Sequence, residues 1–186
     1  MRVLLASLLL LCVTPALPAG ATGEQDRTTN AEMTAIFDAD QAAREHPASI
    51  DWTVLDAADR ERRTRTQTLL DGGKLDSADG FYHAAYVFQH GDDPEDFLKA
   101  HALAIVAVAR GRQDATWIAA ATLDRYLQRI GQPQIYGTQF THPPKQKWTQ
   151  EPYRRDLLSD ALRKASGVPP LADQEKQRED WERRWP

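Results

Sequence analysis

The chain has 186 residues, 41% of them hydrophobic and 27% charged, with a formal net charge of −4. These values describe a globular domain long enough to fold around one core of its own. The acidic balance argues against nucleic acid, whose binding calls for a basic face.

The first residues read as a targeting segment. Arg2 is followed by an apolar run from Val3 to Val13, broken only by Ser7, and then by the small residues Ala19-Gly20-Ala21. This is the pattern of a secretory signal peptide over 1–21. The run is shorter than the ~20 residues that span a bilayer, so no stable membrane span is expected after cleavage. Cys12 follows Leu11, where lipidation needs a small residue. The chain has one cysteine, and it lies in this segment. The mature protein is therefore expected to lack disulfides, thiolate metal sites and a cysteine nucleophile. The expected location is the periplasm or outside the cell. Residues 22–29 read as a flexible leader, and 30–186 as a single helical domain with a charged tail from about 172.

Helix signals then follow in order. Asn30 is a good N-cap for a helix over 31–45, which Pro47 ends. Asp51 or Thr53 can cap a second helix running to about Leu70. Its charge run Asp59-Arg60-Glu61-Arg62-Arg63 reads as a solvated face. Ser77 opens a third helix over 78–90, with Phe81, Ala84, Ala85 and Phe88 as the buried stripe. Asp93-Pro94-Glu95-Asp96 starts a fourth, apolar nearly all round, as suits the middle of a bundle. A fifth covers 115–130, with Trp117, Ile118, Ala121, Tyr126, Leu127 and Ile130 inward. Four prolines keep 132–153 free of helix. A sixth helix is expected over about 154–165, then an extended apolar clasp Val168-Pro169-Pro170-Leu171. The tail is expected to be helical and frayed, anchored by Trp181 and Trp185. The fold class is all-α: about six or seven helices in antiparallel hairpins, loosely tetratricopeptide-like, with an irregular segment near 132–153.

Gln89-His90-Gly91, Asp124-Arg125, Gly131-Gln132-Pro133-Gln134-Ile135-Tyr136-Gly137-Thr138-Gln139 and Val168-Pro169-Pro170-Leu171 occur in that order. Together they resemble a bacterial family filed as a domain of unknown function. Its members share a Gln-His-Ala/Gly element, an Asp-Arg pair, Tyr-Gly-Thr-Gln and a closing Gly-Leu-Pro-Pro-Leu. Val168 stands here where that family has Leu, and Asp71-Gly72-Gly73-Lys74 stands where it has a Gly-Trp-Pro-like turn. The resemblance implies a helical fold and a set of residues, not a reaction.

Those residues admit two chemistries. His90 at a helix C-terminus can cap free carbonyls, or act as a general base if a partner such as Asp124 orients it. Asp124 and Arg125 can instead tie helices together. Gln89, Arg125, Gln134, Tyr136, Thr138 and Gln139 are the candidate ligand contacts. The amides and the phenol of 131–140 serve equally well as a plug that satisfies exposed helix ends. No metal or cofactor is expected: His83 and His90 are seven apart, about 10 Å along a helix. No serine sits in a Gly-x-Ser-x-Gly turn. The leading expectation is an exported module that binds a peptide or small molecule, or acts as a scaffold. The alternative is an acid/base enzyme, such as a hydrolase, using His90 and Asp124. The oligomeric state stays open.

Overall fold

A computed structural model describes residues 28–185. The segment 1–21 read as a signal peptide, and most of the leader, lie outside the described residues. Seven α-helices are present among those described: α1 (Ala31–Ala42), α2 (Trp52–Asp71), α3 (Ala78–Phe88), α4 (Pro94–Ala109), α5 (Ala115–Arg129), α6 (Asp160–Ala165) and α7 (Leu171–Arg184). The fold is all-α. Among the described residues, only isolated β-bridges occur, between Gln134 and Tyr153 and between Thr141 and Thr149.

Side-chain caps set the helix starts. Asn30 accepts from the Met33 N–H at 3.0 Å, Asp51 from Thr53 and Val54, and Ser77 from Gly80 at 2.9 Å. At α4 the Asp96 carboxylate reaches back to the N–H groups of Asp92 and Asp93. It folds over Gly91, where any Cβ would collide with it. The turns at 89–93 and 110–114 are short, and α3 packs on α4 and α4 on α5 as antiparallel neighbours. Ala84, Ala85, Ala100, Ala104, Ala107 and Ala115 are fully buried along these contacts, so the helices approach closely. Met33, Leu69, Val87, Phe88, Leu103 and Ile118 fill the rest of the core.

Four expectations change. The helix expected over 154–165 shrinks to α6, because Arg154, Arg155 and Leu157 make turns instead. The charge run on α2 is divided: Arg60 and Glu61 are exposed, whereas Asp59 is buried and takes hydrogen bonds from Arg44 (2.6 Å) and Arg62 (2.7 Å). Helix α4 is not enclosed. Leu98 and Ile105 are 43% and 50% exposed, leaving an apolar stripe with Ala102. On α5, Trp117 and Ile130 face outward, and the buried positions are mostly alanine, with Thr122 and Asp124 among them.

The C-terminal helix is docked. The Trp181 ring meets Phe140 at 4.6 Å and Trp148 at 5.0 Å, and Glu182 accepts from the Trp148 N–H at 2.9 Å. Gln174, 2% exposed, anchors its first turn. Trp181→Ala should cost about 2 kcal/mol through lost aromatic packing. Limited proteolysis would report it as earlier cleavage after Lys176 and Arg178, and an unchanged digestion pattern would argue that α7 is held without Trp181.

Candidate functional site

The segment 131–140 is held from beneath by Asp124, which no solvent reaches. Its Oδ1 accepts from the N–H groups of Ile135 (2.8 Å) and Tyr136 (3.0 Å). Its Oδ2 accepts from the Thr138 N–H (3.0 Å) and hydroxyl (2.8 Å). Four donors on one carboxylate satisfy a buried charge without a salt-bridge partner. They also bend the chain around it, with Gly137 at φ +83°. A Cβ at Gly137 would drive into Tyr153 and Gln174, so only glycine fits.

From above, the same segment is closed by carboxamides. Gln134 is fully buried; its Nε2 donates to the carbonyls of Gln139 (2.9 Å) and Gln150, and its Oε1 accepts from the Gln139 N–H. The Gln150 amide donates to the Gly137 carbonyl and to Gln174 Oε1. Gln174 in turn donates to the Tyr136 and Pro169 carbonyls. Tyr153 Oη lies 2.9 Å from the Tyr136 carbonyl and accepts from Nε of the fully buried Arg163 at 3.0 Å. Arg163 also donates to the Leu158 and Arg155 carbonyls. These polar atoms replace the water that a buried loop would otherwise need.

His90 belongs to a different cluster. Its Nε2 is 3.6 Å from Asp40 Oδ2, and its carbonyl accepts from Arg63. Asp40 is buried and accepts from Arg44 (2.9 Å) and Gln41 (2.8 Å), and Arg44 continues to Asp59. Burial, reinforced by the charges of Arg44, Arg125, Arg62 and Arg63, pulls the His90 imidazole down to about 3. It is therefore neutral at neutral pH and makes no ion pair with Asp40. Burial pushes the Asp40 carboxyl up to about 6, against the opposing pull of Arg44. The pairing of His90 with Asp124 is not formed: all the hydrogen bonds to Asp124 come from the 135–138 backbone and the Thr138 hydroxyl. The expected capping of carbonyls by the His90 ring is not formed either, since its Nε2 faces Asp40.

The candidate ligand contacts separate in the same way. Gln134 and Thr138 are spent inside the loop network. Gln89 is buried, and its N–H caps α3 by donating to the Ala85 carbonyl. Tyr136 lines an apolar cleft of ≈ 140 Å³ with His101, Ile105 and Ala165. Arg125 and Gln139 open together on a recess of ≈ 260 Å³, shared with Phe97, Gln128 and Arg129. Gln139 is fixed there by donating to the Ala121 carbonyl (3.3 Å) and the Thr138 hydroxyl (3.0 Å). Arg125 Nε is sealed from solvent with no hydrogen-bond partner. Burial, with Arg44 adding to it, lowers its pKa. Arg129 carries its guanidinium over the Phe97 ring, 5.3 Å from the centroid. Among the described residues, no group of three His, Cys, Asp or Glu could hold a metal ion.

Comparison with family models, with characterised proteins and with solved structures finds no match to this chain. The site therefore rests on its own geometry. Sequence reasoning missed Gln150 and Tyr153, in the stretch read as free of helix, Arg163, in the expected sixth helix, and Gln174, in the charged tail. It also missed Phe97, Gln128 and Arg129. The spacing Arg125, Gln128, Arg129 is i, i+3, i+4, which marks one helix face and was available as a signal.

Asp124→Asn should cost about 3 kcal/mol, because an NH2 group then opposes backbone donors in a sealed site. Chemical denaturation measures this, and a loss below the scatter of surface variants would contradict the anchoring role. The two titrating groups give opposite pH signatures. The unfolded chain protonates His90 near 6.5 and the folded one near 3, so falling pH costs stability through that interval. Asp40 keeps its proton longer when folded, so between about 6 and 3.8 falling pH restores some. His90→Gln should flatten the decline of Tm from pH 6.5 to pH 4, and Asp40→Asn should steepen it. Parallel Tm profiles for all three proteins would refute the assignment.

Proposed function

We propose that this protein is an exported, non-enzymatic binding module whose small ligand sits in the recess between α5 and the 131–140 segment. The observation that carries this reading is the placement of Arg125 and Gln139 on one opening, beside Phe97, Gln128 and Arg129. The Gln134 and Thr138 side chains of the same segment are engaged within the protein. The floor of the recess is rigid, because Asp124 and the carboxamides fix the loop that carries Gln139. A preformed wall of this kind lowers the ordering cost of binding. The acid/base alternative lacks support, since the carboxylate that would orient His90 is consumed by four loop donors. A scaffolding role draws support from one feature, the uncovered stripe Leu98-Ala102-Ile105 on α4.

A thermal-shift screen of small molecules on the purified protein tests the reading. A ligand at a hundred times its Kd should stabilise the fold by about 2.7 kcal/mol. Gln128→Trp, at a half-buried helix position, fills the recess without entering the core. It should abolish the shift. Ligands that stabilise wild type and Gln128→Trp equally would place the site elsewhere.

A further inference from the structure

We infer that the group recognised in this recess is a small oxyanion, seated between the guanidinium groups of Arg125 and Arg129. The inference rests on the binding-module reading and specifies its ligand class.

Arg125 stands apart from the other inward-facing arginines. Arg44 pairs with Asp40 and Asp59, Arg62 with Asp59, and Arg63 with Asp92. Arg112 pairs with Asp79, and Arg163 with Asp160, the Tyr153 hydroxyl and the carbonyls of Arg155 and Leu158. Among the described residues, Arg125 has no carboxylate in range, and its Nε is both sealed from solvent and unpartnered. A shortage of acids is not the reason, because the chain carries 27 acidic against 23 basic residues. The neighbouring acid Asp124 is saturated by the 135–138 loop. The nearby charges of Arg44 and Arg125 disfavour each other. A guanidinium does not escape this by losing its proton near neutral pH. The fold thus maintains an uncompensated, half-buried cation at the mouth of an opening, and an anion supplied from solution would complete it.

The recess matches that occupant. Arg129, one turn along α5, adds a second guanidinium on the same face. Two planar forks suit the paired oxygens of a carboxylate or phosphate. Phe97, 4% exposed, backs the recess and carries the Arg129 guanidinium over its ring. At ≈ 260 Å³ the space is below that of sites for drug-sized ligands.

Isothermal titration with benzoate, its neutral isostere benzamide, succinate and inorganic phosphate tests the inference. Benzoate, succinate or phosphate should bind, benzamide at least tenfold more weakly than benzoate, and affinity should fall as sodium chloride is raised. Which anion binds best separates a carboxylate site from a phosphate site. Arg125→Met should weaken the best anion tenfold or more, with a Tm in the absence of ligand no lower than wild type. Arg129→Gln, an exposed position that leaves the core intact, should weaken it several-fold. Benzamide binding as well as benzoate, with Gln128→Trp blocking both, would overturn the anion assignment and leave the binding module standing. No probe of either charge class binding in a way that Gln128→Trp blocks would overturn both.

Discussion

One buried carboxylate organises this molecule. Asp124 projects from a helix whose buried face is mostly alanine, and it collects three backbone N–H groups and a hydroxyl from a loop with no regular structure. Without it the loop would bring unpaired donors into the core, at about 1–3 kcal/mol for each. With it, the loop becomes a fixed surface on which the C-terminal third is built. Gln150 and Gln174 bond to carbonyls that this bend presents, and Tyr153 and Arg163 close over Gly137 and Tyr136. Helix α7, whose sequence is mostly charged, stays in place because Gln174 and Trp181 both reach this surface.

The second polar cluster works by a different rule. Asp40, Arg44, Asp59 and Arg62 join α1 to α2 by alternating charges, and Arg63 ties α2 to the turn before α4. There the charges compensate one another, and burial, reinforced by the neighbouring arginines, leaves His90 neutral. Arg125 borders this cluster and receives no acid of its own among the described residues. A protein built only for stability would place an apolar residue there, since unpaired half-buried charge is costly. That cost at the edge of an opening, a few residues from a loop braced on both sides, is the pattern expected where a ligand completes the structure.

Much of the helical half was legible in the residues. Asn30, Asp51, Ser77 and the Asp93-Pro94 pair mark their helix starts because capping is a local event, set by side chains within three positions. The outward face of α4 was not legible. Apolar periodicity reports what a helix can bury, and whether a neighbour covers it is decided by elements far along the chain. The clasp was hidden for a similar reason. Gln150, Gln174 and Arg163 are residue types that normally lie on the surface. Their burial follows from backbone carbonyls that the Asp124 bend exposes, and no local pattern encodes that. Of the site residues expected, Asp124 was legible only as a residue that could orient His90 or tie helices together. Its partners proved to be backbone N–H groups, which carry no sequence signature.

Asp124 holds 135–138 as part of the core, not as a surface loop. Native-state hydrogen exchange of the Ile135, Tyr136 and Thr138 amides tests this most directly. These three should exchange only through large-scale unfolding, with protection approaching that of amides in the middle of α5. In Asp124→Asn, their protection should fall by more than that of the α5 amides. Exchange of all three at rates typical of exposed loops in the wild-type protein would contradict the account.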